Sequence, residues 1–163
     1  RRLMHLFDAV LEALVWISAL LLVLIVLSVA AEVILRYAMN RPQAWVLEFS
    51  EYALLFITFL SAAYLVKIER NVTIDILIGL LGTRTRQLFC IIQYAIISVV
   101  SLVLVYSGTK ITLDLYARGV YNPTILQVPM AYLLYIIPVG GFFILVQSLI
   151  GFRASLRTFR NKG

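Results

Sequence analysis

Four stretches of the sequence, at about residues 9–35, 45–66, 88–107 and 131–152, are too apolar and too long to be hidden together inside a water-soluble fold of 163 residues. Roughly 20 residues of α-helix, rising 1.5 Å each, cross a hydrocarbon core about 30 Å thick. The first stretch exceeds that length and must tilt or reach into the headgroups. The chain is 63% hydrophobic and only 13% charged, whereas about half the residues of a soluble domain are polar or charged. Its solvent is therefore lipid. No internal repeat or low-complexity linker divides it. The expected fold is a single all-α integral membrane domain of four transmembrane helices over residues 1–163.

The net charge of +6 does not indicate nucleic acid, because the basic residues sit at the ends of apolar runs and form no patch interleaved with polar surface. One cysteine, Cys90, and one histidine, His5, allow neither an intrachain disulfide nor a Cys/His zinc cluster. Cys90 lies in an apolar run, as expected of a small buried thiol. No enzyme chemistry, metal or cofactor is expected. The first apolar run is too long for a signal peptide and no small-residue cleavage site closes it.

Lysine and arginine set the expected orientation. Arg1, Arg2, Lys67, Arg70, Arg84, Arg86, Arg153, Arg157, Arg160 and Lys162 fall on one side; Arg36, Arg41, Lys110 and Arg118 fall on the other. Both termini are expected in the cytoplasm. Between spans two and three, Ile74, Leu77, Ile78 and Leu81 follow helical spacing, and Asp75, Gly79 and Gly82 line another stripe. A short amphipathic helix at about 73–83, lying in the interface, is expected there. In the last span Pro138 predicts a kink and the following glycines predict close helix packing.

The segment RYAMNRPQAWVLEFSEY, residues 36–52, is less ordinary. From Tyr52 to Val66 there are fifteen uncharged residues, about 22 Å of helix. The missing turn must come from upstream, so Glu48 and Glu51 stand at or just inside the hydrocarbon edge. Three residues apart, they share a face that should meet protein, because an unpaired carboxylate facing lipid is costly. Pro42, Trp45 and the favourable end of the helix dipole suit an anchored helix start. Three readings stay open: solvated glutamates in a turn, a polar lock within the chain or to a partner, and a coupling-ion site. For a lock, the expected partners of Glu48 are Arg36 or a donor on another subunit, and Glu48→Gln is expected to be milder than Glu48→Ala.

Arg36-Tyr37, Pro42, Trp45, Glu48 and Tyr52 resemble the first signature of the small membrane subunits of tripartite ATP-independent periplasmic (TRAP) transporters. NVTID, residues 71–75, resembles the second, with Asn71 where that family usually has histidine. NPTILQVPMAYLLYIIPVGG, residues 122–141, resembles the third, with Pro123, Pro129, Met130, Tyr135, Pro138, Gly140 and Gly141 in place. The resemblance spans nearly the whole chain. It implies a bacterial inner-membrane complex in which a large subunit carries substrate with a sodium gradient by an elevator movement. A soluble periplasmic protein captures the substrate, often an organic acid. The small subunit would scaffold the large one as a stable heterodimer, surrounded by membrane lipid, and help dock the binding protein transiently. Arg36, Trp45, Glu48, Glu51, Asp75, Pro123, Pro129, Tyr135, Pro138, Gly140 and Gly141 become candidates for a subunit interface or structural lock.

Two rival readings are a self-contained four-span exporter and a membrane assembly factor. An exporter of that kind would want a glutamate in mid-membrane, whereas Glu12 and Glu32 lie near the ends of their span. On the subunit reading the chain alone transports nothing.

Overall fold

The computed structural model describes residues 2–39, 43–77 and 83–161. The described chain is helical: α1 (Arg2–Met39), α2 (Ala44–Leu77), α3 (Thr83–Arg118), α4 (Met130–Leu134) and α5 (Ile136–Asn161). Four segments are long and apolar enough to cross a membrane: His5–Ala38, Ala44–Ile68, Gln87–Arg118, and Met130–Arg160, which joins α4 to α5.

These helices overrun the apolar stretches that mark them in the sequence. No proline or glycine interrupts residues 66–77, so α2 continues unbroken to Leu77. Residues 73–77 of the expected interfacial helix are thus the end of α2, and residues 78–82 lie outside the described residues. Helix α3 likewise passes Ser107 and continues through Lys110 and Asp114, where Arg118 Nε donates to Asp114 Oδ1 at 2.9 Å one turn back. It stops at Gly119, whose φ of 60° is left-handed. Gly119 N–H donates to the Tyr116 carbonyl and Val120 N–H to the Leu115 carbonyl, both at 3.3 Å, the paired bonds of a Schellman cap. Only a residue without Cβ takes that φ without strain.

The helices stand in a row. Helix α1 packs on α2, α2 on α5 and α5 on α3, with α1 and α3 at the two edges and no substantial packing between them among the described residues. At one end of the α1/α2 pair Lys67 Nζ meets Asp8 Oδ1 at 2.8 Å. Helices α3 and α5 keep an antiparallel register along their whole contact. Gly108 lies against Pro138, Gly141 against Val105, the Ser98 and Ser148 hydroxyls meet at 2.9 Å, and Gly151 lies against the Tyr94 ring.

On its other side α5 meets α2 at Gly140. A Cβ there would stand 2.7 Å from Phe59 Cβ and 2.8 Å from the Phe59 carbonyl oxygen. Glycine is what permits this backbone approach, as small residues do at membrane helix crossings. The break between α4 and α5 falls at Tyr135, three residues before Pro138, which has no N–H for the Leu134 carbonyl.

A row has little interior. Leu11 and Ala63 are fully buried, together with Ser148 and nearly so Ser101. Large side chains such as Trp16, Leu20, Val99 and Leu102 are more than half exposed. Such surface is stable only against lipid or another protein.

Candidate functional site: a loop clamped to the second span

Residues 119–129 join α3 to α4 and fold back on themselves. Asn122 N–H donates to the Val128 carbonyl and Met130 N–H to the Val120 carbonyl, each at 3.1 Å, around an isolated antiparallel bridge between Tyr121 and Pro129. Gln127 N–H closes the tip onto the Thr124 carbonyl at 3.2 Å. Gln127 itself is held at a φ of 43°, a conformation that a non-glycine residue adopts only under local constraint. Ile125 and Leu126 form the centre of this turn, and their two N–H groups point the same way.

Both reach Glu48. Ile125 N–H donates to Oε1 at 2.8 Å and Leu126 N–H to Oε2 at 3.0 Å. One turn along α2, the Tyr52 hydroxyl accepts from Asn122 Nδ2 at 2.8 Å and stands 3.2 Å from Thr124 Oγ1. Four residues apart, Glu48 and Tyr52 occupy one helix face and hold the loop tip at two points. A carboxylate suits the first position because it only accepts, with two oxygens to offer two parallel donors. Such charge-assisted bonds are stronger than neutral ones.

The sequence-derived candidates separate into groups. Arg36 does not reach Glu48: its Nε lies 3.7 Å from Glu32 Oε1 on its own helix and its guanidinium lies over the Tyr37 ring. The expected ion pair is replaced by main-chain donors. Glu51 is exposed, so the loop-facing pair is Glu48 and Tyr52, not Glu48 and Glu51. Trp45 donates through Nε1 to Gln43 Oε1 at 3.1 Å at the start of α2. Asp75 is on α2, with its side chain outside the described set. Pro123 is in the clamped loop, and Pro129 is the N-cap of α4. Tyr135 marks the α4/α5 break and is 61% exposed. Pro138, Gly140 and Gly141 lie where α5 meets α3 and α2, away from the loop.

Asn122, Thr124, Ile125 and Leu126 were not singled out for the site by sequence reasoning. Asn122 and Thr124 lie within the third signature-like stretch. The two main-chain donors, which carry most of the clamp, have no residue signature at all.

Among the described residues no group of three or more His, Cys, Asp or Glu side chains could hold a metal. Outward from the clamp the loop shows Tyr121, Ile125 and Leu126, each more than two-fifths exposed. The site can hold a surface in shape and present it at one end of the helical row.

A row of four spans with a structured loop locked on one end defines a multi-pass membrane protein. The family described as tripartite ATP-independent periplasmic transporters, DctQ component, matches residues 25–158, and the chain belongs to it. It is the small permease subunit of a TRAP transporter, a transporter component and not a member of an enzyme family. Comparison with curated proteins gives no match.

Proposed function

We propose that this chain scaffolds the large membrane subunit of a sodium-coupled TRAP transporter for an organic acid and helps dock the periplasmic binding protein. Both termini face the cytoplasm, and the clamped loop faces the periplasm. The observation that carries the scaffold role is the helical row. Two edges and two broad faces are left apolar, far more than a self-contained four-span exporter would leave after closing on itself. The docking role is supported by the loop, whose exposed Tyr121, Ile125 and Leu126 are held in place from beneath by Glu48 and Tyr52. The sodium coupling and the acid substrate rest on the family alone.

The test is co-expression of the tagged chain with the large subunit, followed by purification in mild detergent. A stoichiometric complex is expected. Recovery of the chain as a small homo-oligomer without the large subunit would favour the exporter. Orientation is checked in a Cys90→Ser background with single cysteines at Tyr121 and Lys162. An impermeant thiol reagent should label the first in intact spheroplasts and the second only after lysis.

A further inference from the structure

The far end of α5, opposite the clamped loop, carries Arg153, Arg157 and Arg160 at i, i+4 and i+7, so one stripe of the helix is cationic. All three are exposed. Leu156 and Phe159, 42% and 40% exposed, stand beside them and line the same shallow depression. Among the described residues none of the three arginines is in an ion pair with a carboxylate. They are therefore unlike Arg36, Lys67 and Arg118, each of which has its own acid.

Their depth narrows what could neutralise them. Gly151 lies against Tyr94, so the α3/α5 register sets Arg153 level with Ile92, and Arg157 level with Phe89 and Leu88. At that level α3 is apolar and outward-facing, with Leu88, Phe89 and Ile92 about half exposed. With these apolar spans set in hydrocarbon, the arginines would begin where it gives way to headgroups. A guanidinium can snorkel from there along its own methylenes, but an uncompensated charge at that edge remains unfavourable. A fork of N–H donors matches phosphate oxygens, and apolar side chains at the same level match the acyl chains below a phosphate. A small soluble anion would use the first feature and not the second.

We propose that Arg153, Arg157 and Arg160, with Leu156 and Phe159, form a binding site for an anionic glycerophospholipid. The phosphate lies among the guanidinium groups and the acyl chains run down over Leu156 and Phe159. The site ties the end of the fourth span to the anionic leaflet and gives the positive charge bias of this end a specific partner.

The experiment uses the full chain, delipidated in an uncharged detergent and titrated with phosphatidylglycerol, phosphatidylcholine or inorganic phosphate while its melting temperature is followed. The variant R153Q/R157Q/R160Q is compared with wild type and with K110Q/R118Q, which removes charge from the other end. Phosphatidylglycerol should raise melting of wild type and of K110Q/R118Q, with an apparent affinity at least about tenfold weaker in the triple variant. Phosphatidylcholine and inorganic phosphate should do little. An equal response in the triple variant would overturn the proposal. So would inorganic phosphate reproducing the shift, which would make the site one for free anions. Displacement of bound phosphatidylglycerol by stoichiometric large subunit would assign the arginines to a protein acid instead. Should the triple variant fail to fold, native mass spectrometry of R157Q decides: reduced lipid retention supports the site and unchanged retention rejects it.

Discussion

Glu48 shows how a single acidic side chain can hold a loop in a chain with few polar contacts to spare. Its value lies in offering two acceptors to two parallel N–H groups, and this decides how substitutions should behave. In Glu48→Ala, Ile125 and Leu126 lose both partners, and their amide hydrogen exchange should quicken by at least about tenfold, as for a locally opened turn. Glu48→Gln keeps one acceptor but turns its NH2 toward the second N–H, donor against donor. It should fall between alanine and wild type. Tyr52→Phe removes one hydroxyl serving Asn122 and Thr124 and should loosen the tip less than Glu48→Ala. Exchange at residues 125 and 126 that is unchanged in all three variants would mean that the clamp does not hold the loop in solution. That Glu48 would meet protein groups was suggested by its place at the edge of a span too short without it. Its partner was not, because main-chain donors some 77 residues away leave no mark on composition or spacing, and Arg36 was the visible alternative.

At the scale of elements, α5 is the central strut, meeting α2 at Gly140 and α3 at Gly141 and Gly151. The two contacts differ in what a methyl group would strike. At Gly140 it would meet the Phe59 backbone at 2.8 Å, which cannot give way. At Gly141 it would meet Val105 Cγ2 at 3.2 Å, the end of a side chain that can shift. Gly140→Ala should therefore cost about 1–3 kcal/mol through overpacking, and Gly141→Ala distinctly less, measured by reversible unfolding in mixed micelles. Equal effects would show that the α2/α5 approach is looser than described. The Ser98–Ser148 pair is a weaker tie: each hydroxyl has one proton, and the Leu145 and Tyr94 carbonyls compete for those of Ser148 and Ser98, while hydroxyl bonds between membrane helices contribute about 0.6 kcal/mol. Ser148→Ala should fall near that value. Glycine pairs and Pro138 announced close packing and a break in the sequence. Which neighbour each glycine faces depends on the register of distant helices, and that pattern became clear only from the contacts.

For the whole molecule, four spans were easily legible but their arrangement was not. Helices that are apolar on every side give no periodic stripe to say which face meets which neighbour, so a closed bundle and an open row have the same sequence signature. The row has a functional consequence. On α1, Glu12 and Glu32 are separated by about 30 Å of helix, the full thickness of a hydrocarbon core. Asp8 and Lys67 pair near one end, while Glu32 with Arg36, Glu48, and Asp114 with Arg118 lie toward the other. The buried polar residues described between these ends are uncharged, among them Ser18, Ser101, Thr112, Gln147 and Ser148. Among the described residues a charged solute would find no stepping stones, since intramembrane transport paths are built from ionisable or ion-coordinating groups. Reconstituted alone into liposomes under an inward sodium gradient, the chain should therefore give no uptake of organic acids above empty vesicles. Adding the large subunit and the binding protein should start it. On the scaffold reading the large subunit should also stabilise the chain by mass action, by about 2.7 kcal/mol at a hundredfold excess over the dissociation constant, since it would cover apolar surface that the row leaves open. Uptake by the isolated chain would overturn the scaffold role directly. A complex that transports while leaving the chain's stability unchanged would place the subunit contact elsewhere than on the open faces of the row.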